Sequence, residues 1–135
     1  MILGIGVDVI HISRMERIHK RWGRRFIDRA YTNHEIAYCE DRKNPIPHYT
    51  VRFAAKEAVF KALSRLKGQG LSLKDIEVHR SDSGRPEIKL HGAACETAQI
   101  LGVKRILVSL THSTDIAAAQ VVLEGENGAG NKRPC

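Results

Sequence analysis

The first ten residues constrain the chain most. Residues 2–10 are short, apolar and β-branched, and read as a strand with Leu3, Ile5, Val7 and Val9 on one face and Gly4, Gly6 and Asp8 on the other, because strand side chains alternate. Two glycines clear the second face, so another group can come close to its backbone. Asp8, at the end of that face, reads either as a polar residue capping the next turn or as a carboxylate held where a ligand can approach.

With Ser13 as N-cap, the period then changes to that of a helix. Met15, Ile18, Trp22 and Phe26 make its apolar stripe, Arg14, Arg17, Arg21, Arg24 and Arg25 gather on another side, and Gly23 shortens or kinks it. Residues 31–49 hold a short helical stretch and then a loop at Lys43-Asn-Pro-Ile-Pro. The clearest element follows, a helix capped by Thr50 that runs from Val51 to about Leu66. Its core side is Phe53, Val59, Phe60, Leu63 and Leu66, while Glu57 and Lys61, four apart, share a face flanked by Ala54 and Ala58. That pair is either a simple surface ion pair or an acid and base kept accessible by small neighbours. Residues 76–90 predict a hairpin around a turn at 81–86, residues 92–101 a small helix closed by Gly102, and residues 105–112 and 116–123 two last strands. The order of elements is α+β rather than regular βαβ.

At 135 residues the chain is one domain. That domain spans residues 1–123, and the polar, glycine-rich tail 124–135 is expected to be disordered. With 42% apolar and 27% charged residues the composition excludes collagen-like and low-complexity classes. Cys39, Cys95 and Cys135 are odd in number and show no C-x-x-C spacing, which predicts neither a disulfide framework nor a structural zinc site and suits a reducing cytosol. No apolar run approaches bilayer-spanning length and the N-terminus lacks signal-peptide character, so a cytoplasmic protein starting at Met1 is expected. The net charge of +7 should attract an acidic partner. Most of that excess lies between residues 11 and 34, where seven Lys/Arg face two Asp/Glu. Such a run is either a solvated face or a docking surface.

Several chemistries can be struck out. The chain has no P-loop, no complete G-x-G-x-x-G after the first strand, no H-E-x-x-H and no nucleophile elbow. Asp8 and Glu57 remain, with Lys61 one turn beyond Glu57 and His112 at a strand end. Magnesium is commonly held by one or two carboxylates plus waters and substrate phosphates, so two acids on separate elements with basic residues nearby are a candidate metal–polyphosphate site.

Four segments carry a resemblance. Gly4-Ile-Gly-Val-Asp8, Arg52-Phe-Ala-Ala-Lys-Glu57-Ala-Val-Phe-Lys61-Ala, Ser83-Gly-Arg-Pro86 and Val108-Ser-Leu-Thr-His112-Ser resemble, in order and spacing, the holo-acyl carrier protein synthases, the small trimeric type of 4′-phosphopantetheinyl transferase. The resemblance covers about residues 1–123. It implies a phosphopantetheinyl transferase-like α+β fold, with a small antiparallel sheet packed with helices, and a homotrimer with sites at subunit boundaries. The implied reaction moves the 4′-phosphopantetheine arm of coenzyme A to a serine of apo-acyl carrier protein, in fatty acid biosynthesis, and releases adenosine 3′,5′-bisphosphate.

The same resemblance implies roles. Asp8 and Glu57 would hold Mg²⁺ on the pyrophosphate, and Lys61 would neutralise or protonate the leaving oxygen. Glu57 or a water steered by Asp8 would take the serine proton. Ser83, Gly84, Arg85 and Pro86 would line the adenine side of coenzyme A. Thr111 and His112 would meet its phosphates, with Arg52 and Lys56 as further candidates. Arg14, Arg21 and Arg24 would dock the acidic carrier protein, with Arg17 and Arg25 in reserve. One departure stands out: where the family commonly has Ser-His-Thr, this chain has Thr111-His112-Ser113, which keeps both hydroxyls.

Two competing classes are a basic nucleic-acid-binding module and an inactive coenzyme A-binding paralogue. Against the first, aromatic residues are only 5% and none alternate with the basic ones. Against the second, Asp8, Glu57 and Lys61 are all present.

Overall fold

A computed structural model describes residues 1–64, 70–126 and 134–135. In chain order the elements are β1 (Ile2–His11), α1 (Ile12–Trp22), α2 (Arg24–Ala30), α3 (Asn33–Glu40), α4 (Pro45–Ala62), a 3₁₀ turn (Leu73–Asp75), β2 (Ile76–Arg80), β3 (Pro86–Leu90), α5 (Gly92–Leu101), β4 (Arg105–His112) and β5 (Ile116–Glu124). β1, β5 and β4 form an antiparallel sheet in that order, and β2 and β3 form a separate hairpin. This is the expected α+β arrangement of a small antiparallel sheet packed with helices.

The glycine face of β1 turns inward. A Cβ at Gly6 would collide with the Ala58 carbonyl, and one at Gly4 with the Ala62 carbonyl, so the two glycines let α4 lie directly on the strand. The apolar face is the outer one, where Ile5, Val7 and Val9 remain 62%, 57% and 59% exposed. Register rows carry the inner face across the sheet: Gly6–Val121–Val108, Asp8–Ala119–Leu110 and Ile10–Ala117–His112. Met15, Ile27, Tyr31, Phe53, Ala58, Val59, Phe60, Val121 and Leu123 belong to the core beneath.

Helix boundaries differ from expectation in ways that local chemistry explains. Ser13 lies inside α1, whose N-cap is His11 with no side-chain cap. Trp22 is half-exposed rather than core, because Gly23, with φ 54°, ends α1 immediately after it and opens α2. α3 carries a full capping box, in which Thr32 accepts from the Glu35 N–H and the Glu35 side chain accepts from the Thr32 N–H. α4 begins at Pro45, inside the expected loop. Proline's fixed φ suits the first helical position, where its missing N–H costs nothing, and Thr50 is interior, donating to the Ile46 carbonyl. The helix ends at Ala62, and Leu66 falls outside the described residues.

The tail is tied down at both of its described ends. Glu124 closes β5, Gly125 N–H donates to Met1 O at 2.7 Å, and Leu90 N–H donates to Pro134 O at 2.6 Å. Cys95 and Cys135 form a disulfide, a bridge that the cysteine count and spacing did not indicate. Spacing along the sequence shows that a motif is missing, but not that the chain end returns to α5. Residues 127–133 of the expected disordered tail lie outside the described residues. Among the described residues no helix is long and apolar enough to cross a membrane.

Candidate active site

Where α4 crosses β1, the cleared strand face and the helix bring two of the expected residues together. Lys61 Nζ donates to Asp8 Oδ1 at 2.9 Å and to the Val7 carbonyl at 3.0 Å. The Lys61 side chain is 55% exposed and that of Asp8 14%. The other Asp8 oxygen, Oδ2, is buried and has no hydrogen-bond partner. An orphaned carboxylate oxygen in such a place is costly unless something fills its coordination. Glu57 sits one helical turn before Lys61, half-buried, on the same side of α4.

Oxygen donors of this kind suit a hard divalent cation. Magnesium needs only one or two protein carboxylates when water and substrate phosphate complete its shell, and Asp8 Oδ2 supplies one free ligand atom. No cluster of three or more His, Cys, Asp or Glu exists among the described residues, so a metal here would depend on its substrate for ligands. Covalent catalysis has little to work with. Burial pushes the thiol of Cys39, the free cysteine, up to about 12.

Two of the expected ligand contacts are placed elsewhere. Lys56 is fully buried, and its ammonium gives its three protons to Glu35 Oε1 at 2.7 Å, Leu73 O at 2.9 Å and Ile76 O. Burial lowers its pKa while Glu35 opposes that shift. Lys56 therefore has no donor left for coenzyme A, and its work is to join α3, α4 and β2. The neighbouring acid is equally committed, since Glu35 also accepts from Thr32 N–H at 2.9 Å and Val78 N–H at 3.0 Å. Thr111 and His112 point to opposite faces of β4. Only His112 shares the face of Asp8, about two strands away, or roughly 12 Å between Cα atoms at ordinary strand spacing.

The remaining expected residues divide into three groups. Ser83, Gly84 and Arg85 form the exposed β2–β3 turn and Pro86, half-buried, opens β3, with Gly84 at φ 84° and Ser81 N–H donating to Arg85 O at 2.8 Å. Arg52 is buried on α4 beside His48, to whose carbonyl its Nη1 donates at 3.3 Å. Arg14, Arg21 and Arg24 are all exposed on α1 and α2. Arg21 lies over the Trp22 ring at 5.2 Å, and Arg24 is paired with Asp28 at 2.8 Å.

Sequence reasoning missed a second basic group. Tyr38, Arg42, His48 and Arg80 surround Arg52 and His112: Tyr38 and His48 rings are 6.0 Å apart, and His48 and His112 rings 5.9 Å. The residues come from α3, the α3–α4 connection, α4, β2 and β4, so no spacing in the sequence links them. The one local signal was an arginine on a helix face otherwise built for the core.

Known proteins are similar to this chain in both sequence and fold. The model of the 4′-phosphopantetheinyl transferase superfamily matches residues 4–121. A holo-[acyl-carrier-protein] synthase of Syntrophus aciditrophicus is 42% identical over 125 residues, covering 93% of this chain and 98% of its own. The crystal structure of the holo-[acyl-carrier-protein] synthase from Neisseria meningitidis superposes with a TM-score of 0.86 at 31% identity, over 92% of this chain and 99% of that one. The Helicobacter pylori enzyme in complex with coenzyme A gives a TM-score of 0.76 at 32% identity, over 89% and 99%. Fold, motif order and nearly full-length similarity agree, and the chain belongs to the holo-acyl carrier protein synthases of the 4′-phosphopantetheinyl transferase superfamily.

Proposed function

We propose that this chain transfers the 4′-phosphopantetheine arm of coenzyme A to a serine hydroxyl of an apo-acyl carrier protein and releases adenosine 3′,5′-bisphosphate. The observation that carries the proposal is the Asp8–Lys61 contact on the glycine-cleared face, with Asp8 Oδ2 buried and unpartnered. In the transfer, the serine oxygen bonds to the phosphorus that carries pantetheine, and the pyrophosphate bond on its far side breaks. Negative charge gathers on the departing phosphate, so positioning and charge neutralisation supply most of the rate.

Asp8 and Glu57 would hold a divalent cation, Mg²⁺ in this proposal, which would neutralise pyrophosphate charge when bound. Lys61 has two of its ammonium protons on Asp8 and Val7, which leaves the third for the leaving oxygen. Its pairing also fixes the rotamer of Asp8. Glu57, or a water steered by Asp8, accepts the serine proton in this proposal. At the nucleotide end, His112 and Arg52 take phosphate and the Ser83–Pro86 turn takes the adenine, with Gly84 leaving its backbone open.

Arg14, Arg21 and Arg24 serve as the docking face for the acidic carrier protein, whose approach their charge accelerates. The exposed apolar strip of Ile5, Val7 and Val9 supports the homotrimer, since a strip of that kind is suited to burial between subunits. The enzyme then works in the cytoplasm, on carrier proteins of fatty acid biosynthesis.

Intact-mass spectrometry of an apo-acyl carrier protein incubated with this protein, coenzyme A and Mg²⁺ tests the proposal. A gain of one phosphopantetheine that a chelator abolishes is the expected result. Folded protein that gives no gain with several carrier proteins would overturn it.

A further inference from the structure

Tyr38 on α3 stands against three guanidinium groups at once. The Cζ atoms of Arg52, Arg42 and Arg80 lie 4.1, 4.4 and 5.7 Å from its ring centroid, all within the ~6 Å reach of cation–π attraction. Arg80 Nε also donates to the Tyr38 hydroxyl at 3.0 Å while its Nη1 donates to the Gly84 carbonyl at 2.7 Å. One side chain thus ties the ring to the β2–β3 turn.

Carboxylate compensation for this charge is thin. Arg42 meets Asp41 at 3.5 Å on the surface, but neither Arg52 nor Arg80 has an ion-pair partner among the described residues. Arg52 is the sharper case, because it is 1% exposed and its Nε has no hydrogen-bond partner. A buried charge without a carboxylate needs other compensation. The Tyr38 face and the His48 carbonyl supply part of it, and an anion would supply more. The surroundings behave as an electropositive site should: burial and then the charges of Arg52, His112, Arg42 and Arg80 hold the His48 imidazole below its usual range.

The cluster is also set apart from the Asp8–Lys61 site. Arg52 precedes Glu57 by five residues, about 7.5 Å along α4, and it points from another side of the helix. An anion held at Tyr38 would therefore sit apart from a pyrophosphate held at Asp8 and Lys61, and beside the β2–β3 turn that Arg80 reaches.

We propose that Tyr38 is a positioning residue for the coenzyme A nucleotide: its ring aligns Arg52, Arg42 and Arg80 into one cluster that takes the phosphate on the adenosine 3′ side, next to the Ser83–Pro86 turn. The proposal rests on the coenzyme A reading above. Without the ring, Arg52 loses its stacking partner and the exposed arginines lose their common support, so the three charges no longer converge.

Calorimetric titration of the full chain with adenosine 3′,5′-bisphosphate and with adenosine 5′-monophosphate tests it, beside thermal melts and steady-state kinetics. Tyr38→Ala is expected to weaken the bisphosphate by about tenfold and to narrow its advantage over the monophosphate. The same variant raises KM for coenzyme A while kcat stays within about threefold, as loss of uniform binding requires. Tyr38→Phe keeps the ring but loses the Arg80 hydrogen bond, and is expected to narrow that advantage less than Tyr38→Ala does. Arg80→Met leaves the ring in place, and should narrow the same advantage to a smaller degree even if Tyr38→Ala proves too unstable to assay. Equal weakening of both nucleotides, or no change in either, would overturn the role of Tyr38 alone if the parent chain transfers and binds normally. A parent chain that binds neither nucleotide would overturn the coenzyme A reading together with it.

Discussion

Two lysines on α4, five residues apart, each donate to a carboxylate at nearly the same distance: Lys56 to Glu35 at 2.7 Å and Lys61 to Asp8 at 2.9 Å. Their surroundings make them different devices. Lys56 and Glu35 are 0% exposed, and every ammonium proton and both carboxylate oxygens are engaged within the fold. Lys61 is more than half exposed, and the acid it meets keeps one buried oxygen without a partner. The complete pair is structural because nothing in it can respond to a ligand. The incomplete pair can bind one, and the hydrogen-bond deficit is what distinguishes it.

The largest effect expected from breaking this contrast is on stability. Lys56→Ala leaves Glu35 buried and uncompensated, and should lower unfolding free energy by about 3–5 kcal/mol in urea denaturation. Replacing both partners, as Lys56→Met with Glu35→Leu, should recover much of that loss, because buried apolar pairs substitute well for buried ion pairs. A mild effect of Lys56→Ala alone would mean that the pair is not the joint it looks to be.

Asp8→Asn should act in the opposite way. Transfer by the mass assay is expected to fall by about 10²-fold or more, since a charged ligand atom aimed at the reacting phosphates is lost, while the thermal midpoint changes little. Near-normal turnover in a folded Asp8→Asn variant would remove Asp8 from the site.

Gly6→Ala tests whether the exposed pair depends on the strand beneath it. The new methyl meets the Ala58 carbonyl and must push α4 off β1, at a cost of about 1–3 kcal/mol. The shift also parts Asp8 from Lys61, so transfer should fall as well. Full activity together with unchanged stability would show that the crossing is looser than its geometry.

The smallest effect expected is the stability coupling between Asp8 and Lys61. A double-mutant cycle with Asp8→Asn and Lys61→Gln should return about 1 kcal/mol, since the lysine end of the pair is more than half exposed. A coupling comparable to that of Lys56 and Glu35 would erase the distinction between the two pairs.

Much of this was legible in the residues. The alternation of residues 2–10 announced β1 and its cleared face, and the Glu57–Lys61 spacing placed both on one side of α4. Other features were not. Lys56 lies in the same short motif as Glu57, and nothing local says that one turns fully into the core and the other stays half-buried. The start of α4 at Pro45 was hidden because prolines that open a helix look the same, in sequence, as prolines that keep a loop extended. The disulfide of Cys95 with Cys135 depended on where the chain end returns.

By itself, then, the sequence determined what depends on neighbours along the chain: the periods of strands and helices, the glycines that permit close approach, and the motif order that marks the family. Tertiary structure decided what depends on partners far away in sequence. It turned the glycine face inward and left the apolar face out, it closed Lys56 around Glu35, and it gathered Arg42, Arg52 and Arg80 around Tyr38. The reason is that burial and hydrogen-bond satisfaction are properties of the packed ensemble of elements, and a polar residue shows its role only once its partners, or its lack of them, are in place.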